Sequence, residues 1–233
     1  MTRIRTTWMA LLAVLALSAV AAASASATPA GPIWKVAGAK LESGKEKAFS
    51  SEQTASYELK GKAFGFINIT ITCTKAKATG DLIGGTPGKG EATVEYTGCS
   101  AGGLCTVSEP IKVTKAKLTL GWVLKESKYF AEIVWAPHAS TEPFVTITCG
   151  SIKAEVKGNT ASEVLSEAGK WVENGNETEG TKGFTLFTGA EETKVFVNGT
   201  EETEKLTLEG NASTLKGESN TKLTSGEKFG AFE

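Results

Sequence analysis

The sequence predicts an all-β protein: an antiparallel sandwich or barrel of many short strands, with one short helix near residues 161–168. Three observations carry this. Apolar and polar residues alternate along much of the chain, which is the two-residue period of a strand with one buried face. Glycine and Asn-Gly pairs punctuate these runs at short intervals. A pentapeptide is also written almost twice, as Ile69-Thr70-Ile71-Thr72-Cys73 and Val145-Thr146-Ile147-Thr148-Cys149. In each copy the aliphatic residues and the cysteine share one face and the threonines the other. β-Branched side chains suit such a surface because their stiff χ1 costs little there. An internal repeat and a chance likeness both explain the copies, and the strand reading holds under either.

In chain order, residues 1–27 read as an export signal. Arg3 and Arg5 precede an apolar run over 9–20, and Ala25-Ser26-Ala27 is a small-residue cleavage site. The run is short for a spanning helix, so no membrane span is expected after cleavage. Residues 28–233 then form a single β-rich domain, with a cysteine-containing core at 28–157 and an acidic, glycine-punctuated second half at 158–233. Ile33, Trp34, Lys35 and Val36 begin the first strand. Residues 55–60 form another, which Gly61 turns into a strand over 64–73. The glycine-rich stretch 79–90 reads as a mobile loop.

Ala92, Val94 and Tyr96 alternate with polar residues in the next strand. Ala116, Leu118, Leu120, Trp122 and Leu124 form the longest apolar row, and Tyr129, Ala131, Ile133 and Trp135 a second. Only Glu126 and its neighbours separate these rows, so they read as a hairpin. Ile152, Ala154 and Val156 follow. Thr160 with Glu163 makes a capping box for the helix, which Gly169 ends. Beyond it come the pairs Phe184/Leu186, Val195/Val197 and Leu206/Leu208, then Leu215 and Leu223. Asn198-Gly199 and Asn174-Gly175 are tight-turn signals.

Composition removes most function classes. Beyond residue 27 there is no arginine, Asp81 is the only aspartate and His138 the only histidine. Nucleic-acid recognition leans on arginine clamps, calcium loops on repeated aspartates and zinc sites on several His or Cys ligands. None of these sets is present, so no cofactor, metal or nucleic-acid partner is expected. The second half holds fourteen acidic residues against seven lysines, while 28–157 holds sixteen lysines against twelve acids. A solubilising surface explains both.

Cys73, Cys99, Cys105 and Cys149 are even in number behind an export signal, so they are expected as disulfides. The favoured pairing is Cys99–Cys105, which closes a tight loop, with Cys73–Cys149, which ties the matching strands. His138 falls between Pro137 and Pro143 in a surface loop, with no fixed acidic partner to make it a base. The glutamates sit on outward positions or in acidic turns and suggest no catalytic pair. Trp122 and Trp135 are in phase with the apolar rows and belong to the core. Trp171 is the one tryptophan expected to be exposed, and a lone tryptophan is weak evidence for a sugar platform. Asn68, Asn176, Asn198 and Asn211 begin Asn-x-Ser/Thr triplets, which chance explains in a threonine-rich chain.

The spacing Trp34-x-Val36-x-Gly38, followed by Leu41 and Gly44, is similar to that of uncharacterised exported proteins of soil actinobacteria. The resemblance covers the N-terminal part of the chain. It implies secretion and a β fold, and brings no activity with it. The function expected is a secreted, non-catalytic β domain with a binding or structural role at or outside the cell envelope, its partner a glycan or another envelope protein. The alternative is a secreted hydrolase of glycosidase or esterase type, using glutamate carboxylates or His138.

Overall fold

The structure, a computed structural model, describes residues 29–63, 67–166 and 172–233. They form sixteen strands and, among the described residues, no helix. In order these are β1 (Ile33–Val36), β2 (Ala39–Lys40), β3 (Glu46–Ala63), β4 (Ile67–Ile83), β5 (Lys89–Ser100) and β6 (Ile111–Lys125). Next come β7 (Lys128–Ala136), β8 (Val145–Cys149), β9 (Ile152–Gly158), β10 (Thr160–Leu165) and β11 (Gly183–Thr188). The chain ends with β12 (Glu192–Val197), β13 (Thr200–Leu208), β14 (Asn211–Ala212), β15 (Thr214–Leu223) and β16 (Phe229–Phe232). The expected export segment and Trp171 lie outside the described residues.

Eight strands close on themselves. The neighbours run β5-β4-β3-β15-β11-β10-β7-β6, and β6 pairs back onto β5 to complete an antiparallel barrel. The inward rows are those the alternation predicts: Ala116, Leu118, Leu120 and Trp122 from β6, with Ala131, Ile133 and Trp135 from β7. Leu124 is in phase with the first row yet 47% exposed, one step from the Glu126-Ser127 turn, whose residues both adopt positive φ. On β11 the inward residues are Thr185 and Phe187, and the expected pair Phe184/Leu186 takes the other face. The three-stranded sheet β16-β1-β2 caps the barrel, sending Trp34, Val36, Phe229 and Ala231 into the same core. Trp34 Nε1 donates to the Lys89 carbonyl at 2.8 Å, and Trp122 Nε1 to the Ala30 carbonyl at 2.6 Å.

A second core lies beside the first. β3 and β4 outrun the barrel, and their far halves face β8, β9 and β13 across Leu59, Ile71, Cys73, Ile147, Val156 and Leu208. Both copies of the pentapeptide thus turn their aliphatic residues and cysteines inward, as expected. All four cysteines form disulfides, in a different pairing from the expected one: Cys73–Cys99 and Cys105–Cys149, with Cα separations of 4.0 and 5.4 Å. Register explains the change. β4 lies beside β5, where Cys73 stands directly opposite Cys99, and β8 is never a neighbour of β4. The Glu109 carboxylate fixes this corner by accepting from the backbone N–H groups of Gly98 and Cys99.

The expected helix is a strand. Thr160 to Leu165 pair with β7 on one side and β11 on the other, and Glu163 stands opposite Glu132 instead of capping a turn. Residues 167 and 168 lie outside the description. The expected loop over 79–90 is mostly strand as well, since β4 runs to Ile83 and β5 starts at Lys89. A Cβ on Gly80 would press into the Glu91 carbonyl, and one on Gly90 would stand 2.7 Å from the Asp81 carbonyl oxygen. These glycines mark close backbone approach within a sheet, not a break in it. Gly61 likewise stays in β3, with Ser213 and Leu208 closing over it. The Asn-Gly turns form as expected: Asn198 and Gly199 adopt φ of 50° and 79°, and Gly175 of 85°.

The β12–β13 hairpin lies over the outer face of β6. Phe196 pairs with Trp122, and Val195 is fully buried where Gly121 leaves room for it. Gly121→Ala would drive a methyl group into Val195 and toward the Phe196 carbonyl. It is expected to destabilise the protein by about 1–3 kcal/mol, read by chemical denaturation. An unchanged midpoint would mean the hairpin does not pack there.

Candidate functional site

Three places in the molecule bring polar groups to a concavity, and the barrel interior is the first. Tyr57 donates or accepts at 2.6 Å with Ser219 Oγ, and its ring meets Tyr96 and Phe187 edge-on at 5.2 and 5.9 Å. Burial pushes the Tyr57 phenol up to about 12, with the Ser219 contact opposing that shift, and burial pushes the Tyr96 phenol upward too. Trp135 Nε1 donates to Ser162 Oγ at 2.7 Å. These side chains fill the barrel. Two apolar cavities of about 50 Å³ each remain, one per core, separated by Tyr57, Tyr96, Phe144 and Leu215. A site for an ordinary small ligand takes roughly 300–1,000 Å³. The interior is therefore a core.

The second place lies under the β12–β13 hairpin. Ala131 and Ile133 face the barrel core, so Glu132 faces out; the hairpin then covers it, leaving 2% exposed. Glu163, opposite on β10, is 4% exposed. Lys125 Nζ stands 3.0 Å from Glu163 and 3.7 Å from Glu132, and Glu204 of β13 adds a third buried carboxylate. One Oε2 on Glu132 and one on Glu204 have no hydrogen-bond partner among the described residues.

Burial raises the Glu132 carboxyl to about 7; Lys125 opposes the shift, while Glu163 and Glu204 add to it. Glu163 and Glu204 are raised for the same leading reason. A cleft of about 320 Å³ opens beside this group, lined also by Val123, Thr188 and Lys194. A carboxyl that titrates near neutrality, beside one held by a lysine, can give or take a proton.

The third place is an open groove of about 580 Å³ along the far half of the β3–β4 hairpin. Lys60, Lys62, Asn68, Thr70, Asn211 and Thr214 line it, with Glu191 at one side. Asn211 is held in place by donating to the Lys62 carbonyl at 3.2 Å. Its lining offers hydroxyl, amide and ammonium groups on rigid strands.

Of the residues singled out in the sequence, Asn68 and Asn211 meet in the third place, Trp34 and Trp135 line the first as core, and Glu163 joins the second. His138 is exposed in its loop, as expected. Trp34, Trp122 and Trp135 are buried with their indole N–H groups bonded, so none offers a flat face to a sugar. Among the described residues no three His, Cys, Asp or Glu side chains are placed to hold a metal ion, and no helix is long and apolar enough to cross a membrane. The Glu132–Glu163 pair was hidden because both sit on outward positions of their strands. Only the later hairpin buries them, and the alternation carries no sign of it. No family model matches the chain, and no curated protein or solved structure does either.

Proposed function

We propose that this chain is an exported, non-catalytic β domain that binds a glycan at or outside the cell envelope through the groove on the β3–β4 hairpin. The groove itself carries this reading: it is the roomiest of these three places and open to solvent, and it sets polar side chains beside apolar ones such as Ile69 and Ala212, while the barrel interior is filled. Hydroxyl-rich ligands need hydrogen-bonding groups held at fixed positions, and strand side chains provide that. Two disulfides fit an oxidising compartment, which supports export. The N-terminal spacing, which resembles that of exported actinobacterial proteins, points the same way.

The test is a screen of envelope and plant-type glycans against the purified protein and against Lys62→Ala and Asn68→Ala. Both side chains are exposed, so the fold is expected to survive either change. A bound glycan whose affinity falls about tenfold or more in each variant supports the reading, since a lost hydrogen bond to a charged or amide group is worth about that much. Binding that ignores both changes, or binding only to another envelope protein, contradicts it.

One observation favours a second reading. Glu132 titrates near neutrality beside Glu163 at the edge of a cleft, the pattern of an acid–base pair in a glycosidase or esterase. Against it, Glu132 is 2% exposed and Lys125 already occupies the space between the two carboxylates. Hydrolysis of generic glycoside or ester substrates is expected to be absent. Turnover that Glu132→Gln removes would reverse the order of the two readings.

A further inference from the structure

Among the described residues, most free edges are short, covered or charged; the outer sides of the β12–β13 hairpin, for example, carry Glu192, Lys194, Glu201, Glu202 and Glu204. β2 and β14 have two residues each. The outer side of β8 is bridged by the loop after β5, where Val107 pairs with Cys149 and the Ser108 N–H donates to the Thr148 carbonyl at 2.9 Å. β16 is bridged at Phe229 by Gly180. β4 differs. Its pairing with β3 runs out to Ile67, but its pairing with β5 stops at Thr72. Residues 67–71 therefore have a strand on one side and, among the described residues, none on the other.

That edge also lacks the usual protection. From Ile67 to Cys73 there is no charge, no proline and no glycine, and the residues are mostly β-branched. Natural sheets blunt open edges with lysine, proline or a bulge, because unpaired N–H and C=O groups template another strand. An uncharged run of six or seven residues with high strand propensity is the sequence that pairs with its own kind. Lys60 and Lys62 sit one strand inward, on β3, and do not guard the edge itself. Ile67 is 39% exposed at its tip.

We propose that residues 67–71 pair with the same residues of a second copy of this chain, joining two sheets edge to edge across a twofold axis. The register is complementary to itself. With the axis at Ile69, Ile67 meets Ile71 of the partner subunit, and Asn68 meets Thr70 of the partner subunit. An axis normal to the sheet keeps the isoleucines of both copies on the side of the second core, so no side chain changes face. No like charges are brought together, because the segment has none. A strand from an unrelated protein would meet the same backbone groups but need not set aliphatic against aliphatic and polar against polar side chains in this way.

The length of the edge sets the strength. Five residues span roughly 17 Å. Such a contact falls below the area of a standard stable interface, so the dimer is weak and concentration-dependent, with Kd on the order of 10 µM.

The experiment is sedimentation velocity of the full chain from low micromolar to near-millimolar concentration, paired with backbone amide exchange. The weight-average mass is expected to approach twice the monomer value, with protection gained at 67–71 as concentration rises. Ile67→Lys, at an exposed position, is expected to weaken association about tenfold by placing a charge opposite an apolar side chain. Ile69→Lys sets two ammonium groups face to face at the axis and is expected to abolish it. A chain that stays monomeric throughout overturns the proposal. So does a dimer that ignores Ile67→Lys and protects amides elsewhere, or protection at 67–71 that appears only when an unrelated extended peptide is added.

Discussion

Glu132→Gln is expected to stabilise the protein at pH 8 by about 3 kcal/mol and to leave it nearly unchanged at pH 4. The sign follows from burial. The Glu132 carboxyl is raised from 4.5 to about 7 because the β12–β13 hairpin removes it from water, and Lys125 offsets only part of that cost. A raised carboxyl favours the folded state while it is protonated. Its contribution is whole below the unfolded value near 4.5, falls as the pH rises toward 7, and is absent above that. Glutamine mimics the neutral acid at every pH, so the variant escapes the loss. The check is a set of urea titrations from pH 4 to pH 8. A wild-type curve that is flat between pH 5 and 7, or a glutamine variant less stable at pH 8, would show that Glu132 reaches water.

Trp122→Ala is expected to destabilise the protein by about 4 kcal/mol. Trp122 is fully buried among the largest core side chains and does three things at once. It fills the barrel beside Leu120, its Nε1 anchors the incoming chain at the Ala30 carbonyl, and its backbone pairs with Phe196 of the covering hairpin. Trp122→Phe restores most of the volume and loses the Ala30 contact alone, so a loss of about 1–2 kcal/mol is expected there. Equilibrium denaturation reads both. If alanine and phenylalanine cost the same, the indole N–H dominates and the volume does not, contrary to the packing described.

The parts of this fold legible in the sequence are those that rest on local alternation. Leu118-Leu120-Trp122 and Ala131-Ile133-Trp135 announce their strands because each inward residue is two from the next. Asn198-Gly199 announces its turn because few other pairs tolerate two positive φ values. What stayed hidden depends on partners distant in the chain. Gly80 and Gly90 look like loop residues, yet they face each other's strands where no Cβ fits. Thr160 and Glu163 satisfy a helix cap locally, but β7 and β11 claim both edges of that segment. The cysteine pairing failed for the same reason: alike sequences suggested adjacent strands, whereas Cys73 meets Cys99 through the β4–β5 register. Glu132 is the clearest case at the candidate site. Its outward position was correct, and only a hairpin some sixty residues later turns that position into a buried one.

The closed barrel depends on β4 and β5 lying side by side in one register, and disulfide mapping tests this directly. The unreduced protein is digested with cleavage both at the lysines and after Leu104, so that Cys99 and Cys105 fall in separate peptides, and the linked masses are read. Cys73 joined to Cys99, and Cys105 joined to Cys149, is the predicted result. Cys73 joined to Cys149, with Cys99 joined to Cys105, would place β4 against β8 and contradict the barrel.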